Sequence, residues 1–187
     1  MKSIAYRIFT ILTAIISLNS VLHANQAGGT PPTLAELRKA TYTGLEDGPV
    51  SLLNGKWEGK PFVDGGASCP TAGLVDNVYH TGDLDGDGIQ EAVVILWQSG
   101  GGTGEYTYVM VMTRRNGEIK NIGSALIGDR VKLRNGRVAD GKIILGVLQA
   151  GENDPMCCPT MLATRTWSLQ GEELVEGKTK VAAEKTN

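Results

Sequence analysis

The feature that most constrains the fold is a series of Asn-Gly and Asp-Gly pairs, each lying between two apolar stretches. From residue 50 onward the pairs are Asn54-Gly55, Asn116-Gly117, Asn135-Gly136 and Asp140-Gly141. These residues tolerate the positive φ angles of two-residue hairpin turns better than other residues do. The pattern therefore predicts successive hairpins. We expect a mainly β fold, an antiparallel meander that forms a curled sheet or a barrel-like sandwich.

Apolar patterning places the main strands between these turns. The strongest candidates are EAVVILW (91–97), YTYVMVM (106–112), GKIILGVLQ (141–149) and ATRTWSL (163–169). The first is almost continuously apolar, which is typical of a central strand that is buried on both faces. In the last, Arg165 shares the inward alternation of Trp167, so its charge either faces inward or is carried to the sheet edge by its long stem.

One helix signal precedes the strands. Thr33 and Glu36 have the spacing of a capping box, and the apolar periodicity that follows stops at Gly44. We therefore expect one short N-terminal helix ahead of the β structure.

The two ends of the chain differ in composition from the middle. Residues 1–24 combine a basic start, an apolar run too short to span a bilayer and a small residue at the expected cleavage point, which predicts a signal peptide. We expect residues 25–33 to be a flexible linker, 34–176 a single mainly β domain and 177–187 a flexible tail. The exported chain would then be periplasmic, with no membrane span in its mature part.

Charge argues against one class of partner. Without residues 1–24, the chain keeps 16 Lys or Arg and 20 Asp or Glu, a net charge of −4. Nucleic acid and anionic lipid select a concentrated basic patch, and the basic residues here are short, interrupted groups. The composition therefore predicts no nucleic-acid binding.

An acidic stretch, DLDGDGIQE (83–91), lies between two predicted strands. Its alternating carboxylates have the spacing of a calcium loop, and Gly88 permits the tight turn. An EF-hand would need Glu at Val94 and flanking helices, so this stretch instead resembles the calcium hairpins of FG-GAP propeller blades. The alternative is a solvated Asp/Gly turn without an ion. The predicted calcium ligands are Asp83, Asp85, Asp87, the carbonyl of Ile89, and Glu91.

The chain has three cysteines, Cys69, Cys157 and Cys158. In an oxidising compartment we expect one disulfide from Cys69 to either of the adjacent pair, and one remaining thiol. Pro159 favours an extended Cys158, so only one of the two neighbours would face Cys69. A Cys157–Cys158 ring is the rarer alternative.

Catalytic candidates are few, because the mature chain keeps one histidine, His80. A nucleophilic mechanism would need His80 beside a hydroxyl or thiol such as Ser99 or Cys158. The Gly-rich stretch 99–105 lacks the lysine and the helix of a phosphate-binding loop, which favours a hairpin loop instead.

Four stretches carry a resemblance to a known family: ATYTGLEDGPVSLLNGKWEGKPF (40–62), GDLDGDGIQEAVVILWQSGGGTGEYTYVMVM (82–112), LIGDRV (126–131) and DPMCCPTMLATRTWSL (154–169). Together they resemble a domain of uncharacterised exported proteins of Gram-negative bacteria, a type that stands alone or precedes a META/HslJ-like domain. A weaker similarity, in the acidic loop and CCP, is to LppP/LprE-type lipoproteins of actinobacteria. The resemblance implies domain boundaries and location, but no activity.

Two functional hypotheses follow. The first is an exported, non-catalytic domain of the cell envelope with a structural calcium hairpin, which presents its Gly-rich loop and the AGENDPMCCPT (150–160) loop to an envelope protein or cell-wall component. The second is a hydrolase or thiol enzyme that uses His80 with Cys158 or Ser99. The distance from His80 to these groups discriminates between them.

Overall fold

The computed structural model describes residues 29–155 and 157–182. The predicted signal peptide therefore lies outside the described residues, as do the first part of the predicted linker and the last five residues. The described chain is mainly antiparallel β with one short helix, as the sequence predicts. Within these ranges, no helix has the length and apolar character needed to span a membrane.

The elements form a small N-terminal unit and two larger sheets. The N-terminal unit contains α1 (Leu34–Leu37) and a two-stranded ribbon of β1 (Thr41–Tyr42) and β2 (Val50–Ser51). Sheet I has the order of the chain and consists of β3 (Lys56–Glu58), β4 (Thr71–Gly82), β5 (Glu91–Ser99), β6 (Tyr106–Arg115) and β7 (Glu118–Asp129). Sheet II contains β8 (Lys132–Ala139), β9 (Lys142–Gln149), β10 (Met161–Gln170) and β11 (Glu173–Glu176), and β12 (Lys180–Val181) pairs with β10. Apart from β12, which pairs with β10, neighbours in each large sheet are neighbours in sequence, so the topology is the predicted meander.

Three of the four predicted turns are confirmed. Asn54-Gly55, Asn116-Gly117 and Asp140-Gly141 each connect two paired segments, and all six residues have φ between 51° and 85°. Positive φ at both central residues is the conformation that Asn-Gly and Asp-Gly favour in two-residue hairpins. The local turn chemistry therefore determines these three connections.

The fourth turn prediction, at Asn135-Gly136, is wrong. Both residues lie inside β8, and the chain turns before that strand at Arg130, which has φ 51°. Gly136 has a different role, because a Cβ at this position would lie 2.6 Å from Nε2 of His80 in β4. A glycine in a strand often marks such a close approach. Here it lets the His80 imidazole pack directly against β8.

Sheet I is buried on both faces. One face packs against sheet II, where Val93 and Ile95 of β5 join a core that includes Leu145 and Trp167. The other face is covered by the N-terminal unit and the segment after it, whose buried residues are Leu37, Tyr42, Leu45, Val50 and Leu52. This double burial explains the continuous apolar run of β5, which is the middle strand of its sheet as predicted.

Arg165 faces inward and joins the two sheets. Its side chain is 13% exposed, donates from Nε and Nη2 to the Glu176 carboxylate at 2.6 and 2.7 Å, and donates from Nη1 to the backbone carbonyl of Ile127 in β7. The guanidinium also lies 5.2 Å from the Trp167 ring centroid. The inward alternative is therefore correct, and the charge is compensated by Glu176.

The described parts of the predicted linker and tail contact the domain. The backbone carbonyls of Thr30 and Pro32 accept hydrogen bonds from Arg114 and Tyr79. At the other end, β12 pairs with β10 of sheet II.

Candidate metal site at the acidic hairpin

The acidic stretch forms the loop between β4 and β5. Gly86 and Gly88 have φ of 79° and 84°. Loop carboxylates accept hydrogen bonds from loop amides: Asp83 accepts from Gly86 N at 2.7 Å and Gly88 N at 3.1 Å, and Asp87 accepts from Ile89 N at 2.7 Å. Side-chain acceptors of this kind fix a turn without help from other elements. The loop conformation is therefore encoded locally.

Glu91 opens β5 and is fully buried. One carboxylate oxygen accepts from Leu84 N at 2.9 Å and the other accepts from the Thr113 hydroxyl at 3.2 Å. Burial is the largest effect on the Glu91 carboxyl and raises its pKa. The negative charges of Asp85 and Asp87 raise this pKa further, whereas the hydrogen bonds from Leu84 and Thr113 lower it. The acidic neighbours make the buried charge still less favourable.

Three of the predicted ligands converge. One carboxylate oxygen from each of Asp83, Asp85 and Glu91 lies within 4.8 Å of the other two. The Asp87 carboxylate lies outside this group, and the amide of Ile89 donates to it. The structure therefore brings together Asp83, Asp85 and Glu91 and does not bring Asp87 to them.

Among the described residues, one cationic side chain contacts the group. Arg115, at the end of β6, donates from Nη2 to Oδ2 of Asp85 at 3.1 Å, and its side chain is 45% exposed. An exposed ion pair of this kind compensates only a small part of a buried charge. Three carboxylates thus face one partly solvated guanidinium.

The donor set is suitable for calcium. All three side chains offer hard oxygen ligands, and oxygens on opposite sides of one Ca²⁺ are about 4.6 to 5.2 Å apart. The three oxygens lie within 4.8 Å of one another, which is compatible with a calcium shell. These three carboxylates could therefore hold one calcium ion, with water completing the coordination.

The sequence did not identify Thr113 or Arg115 as parts of this site. Both lie on β6, and the register that pairs Ala92 with Met112 places Thr113 next to Glu91. The available signal was a threonine directly after the apolar run 108–112, and it becomes informative only when the β5–β6 register is known.

The predicted catalytic pairing with Ser99 is not assembled. His80 pairs with Val93, and Ser99 is six residues farther along β5, about 20 Å away. The imidazole instead packs against Gly136, and burial lowers the pKa of His80. The Cys158 sulfur is bonded to its neighbour Cys157.

This Cys157–Cys158 bond replaces the predicted bridge to Cys69, which remains a free thiol. The two cysteines are adjacent, with Cα atoms 3.8 Å apart, so the bond between them does not require two distant segments to meet; the Cys158 amide also donates to Pro155 O at 2.9 Å. Cys69 lies in the loop before β4, where partial burial and then the Glu58 carboxylate raise the pKa of its thiol.

The two loops that we expected to face a partner lie at the opposite end of the molecule from the acidic hairpin. In the 150–160 loop, Asp154 accepts from Gly151 N at 2.8 Å and from Thr160 N and Oγ1 at 2.6 and 2.7 Å, and these bonds, led by Gly151, lower its pKa. The Gly-rich loop is tied to the Arg130 side chain through the Thr103 carbonyl. Each loop is therefore held by hydrogen bonds to side chains at the same end of the molecule.

Comparison with known proteins adds no family assignment, because no protein-family model, curated protein or solved structure matches the chain.

Proposed function

We propose that this chain is an exported, non-catalytic domain of the cell envelope in which the acidic hairpin binds one structural calcium ion. The observation that carries the calcium proposal is the convergence of Asp83 and Asp85 on the fully buried Glu91. The envelope location is supported by the signal-like residues 1–24 and by the resemblance to exported domains.

The physical reason is charge. Glu91 is held in place by Leu84 N and the Thr113 hydroxyl, so its oxygens do not need to reorganise when an ion arrives. Without an ion, its burial beside other carboxylates is unfavourable. Calcium compensates that charge, and because Glu91 belongs to the central strand, the ion ties the loop to the core of sheet I.

A structural ion of this kind increases the free energy of unfolding by an amount set by its concentration relative to Kd. The increase is RT ln(1 + [Ca]/Kd), about 1 to 3 kcal/mol when free calcium is about ten to a hundred times Kd. We infer that the ion holds the β4–β5 hairpin, while the 99–105 and 150–160 loops at the other end contact an envelope protein or cell-wall component.

The test combines calorimetric titration with thermal unfolding of the mature protein in chelator, in magnesium and in calcium. Wild type should bind one calcium and unfold at a higher temperature in calcium than in magnesium or chelator. Asp85→Asn should lose most of both effects because it removes a convergent ligand charge.

The matched control is Asp64→Asn, which removes an exposed aspartate in the loop between β3 and β4 and should leave the calcium response unchanged. Equal unfolding temperatures of wild type in chelator and in millimolar calcium, with no heat of binding, would show that the loop is only an acidic turn.

A further inference from the structure

One face of sheet II is not covered by another element of the described chain. The inward positions of its strands, among them Ile143, Leu145 and Trp167, pack in the core against sheet I. The alternate positions of β8, β9 and β10 point to the other side, and none of them is buried. We call this side the outer face of sheet II. Its side chains are therefore available to a partner.

Strand pairing arranges the outer face in four rows, and each row contains one cationic side chain. The rows are Lys132–Leu148–Leu162, Asn135–Gly146–Thr164–Lys180, Arg137–Ile144–Thr166 and Ala139–Lys142–Ser168–Val175. Residues that pair directly across neighbouring strands point to the same side of a sheet. Successive rows on one face are about 7 Å apart along the strands, so the four cations are spread over about 20 Å.

None of the four cations is neutralised by another described side chain. Lys132, Arg137, Lys142 and Lys180 are all exposed, and none of them forms an ion pair with a described residue. The first acidic side chain in a paired position along this face is Glu173, in the row beyond Lys142. The outer face is therefore a positively charged surface.

The rest of the molecule has the opposite charge. Apart from these four cations, residues 25–187 contain 12 Lys or Arg and 20 Asp or Glu. An anionic surface would attract the outer face and repel the remainder, which orients the molecule as it approaches. The four cations are spread over residues 132–180, so no basic run in the sequence marks this face, and strand pairing brings them together.

Aliphatic side chains lie among the cations. Leu162 is 50% exposed, and Leu148 beside it and Ile144 two rows away are partly exposed. The four rows contain no aromatic ring on which a nucleic-acid base would stack. A membrane surface matches both kinds of side chain, because its anionic headgroups attract Lys and Arg and its interface accepts aliphatic groups.

We propose that the outer face of sheet II binds the surface of a membrane that contains anionic phospholipid. A second copy of the same face would meet like charges. A soluble polyanion would pair with the cations but leave Leu162 exposed to water. The face contains no residue of the acidic hairpin, so this proposal does not depend on calcium binding.

Co-sedimentation of the mature protein with large vesicles tests the proposal. Vesicles of phosphatidylcholine alone are compared with mixed vesicles of phosphatidylcholine and phosphatidylglycerol, in chelator so that calcium does not bridge the headgroups. We expect binding to the mixed vesicles only. The affinity should fall at least about tenfold as NaCl rises from about 0.1 to about 1 M, which shortens the Debye length from about 10 to about 3 Å. Dextran sulfate is the probe for a soluble polyanion.

Three variants test the face itself. Lys132→Glu/Arg137→Glu should weaken binding to the mixed vesicles at least about twentyfold, because each cation near an anionic membrane contributes about fivefold in affinity. Leu162→Asn removes the most exposed aliphatic group of the rows and should weaken binding at least about threefold. The matched control is Lys39→Glu/Lys60→Glu, which changes the net charge equally at two exposed lysines outside the face and should bind within about twofold of wild type.

Binding to the mixed vesicles that is lost in Lys132→Glu/Arg137→Glu and kept in Lys39→Glu/Lys60→Glu supports the proposal. Four results would each overturn it: no binding to the mixed vesicles, equal losses in the two double variants, undiminished binding by Leu162→Asn, or binding of dextran sulfate alone. If Lys132→Glu/Arg137→Glu does not fold, Lys142→Gln/Lys180→Gln removes the other two cations and decides the question.

Discussion

Gln98 provides a test of the packing beneath the N-terminal unit. It lies on β5, on the face of sheet I that the N-terminal unit covers, between Ala72 and Tyr106 on the adjacent strands. The residue is fully buried, and neither its Oε1 nor its Nε2 has a hydrogen-bond partner among the described residues. Buried amides in folded proteins are usually paired, because an unpaired polar group loses its hydration without compensation.

The perturbation is Gln98→Met, which replaces the amide with an apolar side chain of similar length. Leaving a buried polar group unpaired costs about 1 to 3 kcal/mol, so its removal should raise the free energy of unfolding by about that amount. For a chain of this size, 1 kcal/mol corresponds to about 2 to 4 °C. We therefore expect the unfolding temperature to rise by about 2 to 12 °C.

Urea unfolding and calorimetry measure the change, and an unaltered m-value would show that the surface exposed on unfolding is the same. Leu96→Met is the matched control, because it places methionine two residues away on the same buried face and should not stabilise the protein. An unchanged or lower unfolding temperature for Gln98→Met would refute the reasoning and mean that water satisfies the amide in solution.

Three further predictions use other contacts. Arg115→Gln should tighten calcium binding about two- to fivefold in calorimetry, because it removes the cation that competes for a loop carboxylate; weaker binding would contradict this. Hydrogen bonds from Arg114 and then Thr33 lower the pKa of Glu36 from 4.5 to about 2. As pH falls from 4.5 to 2, the free energy of unfolding of wild type, measured with urea, should therefore drop by up to about 1 kcal/mol relative to that of Glu36→Gln. A constant difference between the two proteins across this pH range would contradict the prediction. Non-reducing peptide mapping of the native protein should find Cys69 alkylatable and the other two cysteines joined to each other, and a bridged Cys69 would contradict the structure.

The parts of the fold that the sequence predicts correctly are those that depend on neighbouring residues. The three correct turns are set by the φ preferences of two residues, and the Thr33 capping box is present as predicted. The central position of β5 follows from its continuous apolar run, since both faces of the strand must be covered.

The incorrect turn prediction at Asn135-Gly136 has its cause in a contact between distant segments. Gly136 has the same local signature as the correct turns, but its role is set by His80, which is more than fifty residues earlier in the chain. The predicted bridge to Cys69 is replaced by a bond between the adjacent Cys157 and Cys158, and the spacing of the three cysteines does not distinguish between these pairings. The φ preference of an Asn-Gly pair allows both a hairpin turn and a position inside a strand, and the tertiary structure selects between them.

The acidic hairpin combines both kinds of information. The loop backbone is fixed by its own carboxylates, so its turn could be predicted from the spacing of Asp and Gly alone. The chemical character of the site, however, depends on Glu91, and Glu91 is buried because β6 lies beside it with Thr113 in hydrogen-bonding position. In an identical loop on an exposed hairpin, water would hydrate this carboxylate, and calcium binding would then stabilise the protein less. The strength of calcium binding should therefore depend as much on the register of β5 with β6 as on the loop sequence, and Thr113→Val should weaken it while leaving every loop residue in place.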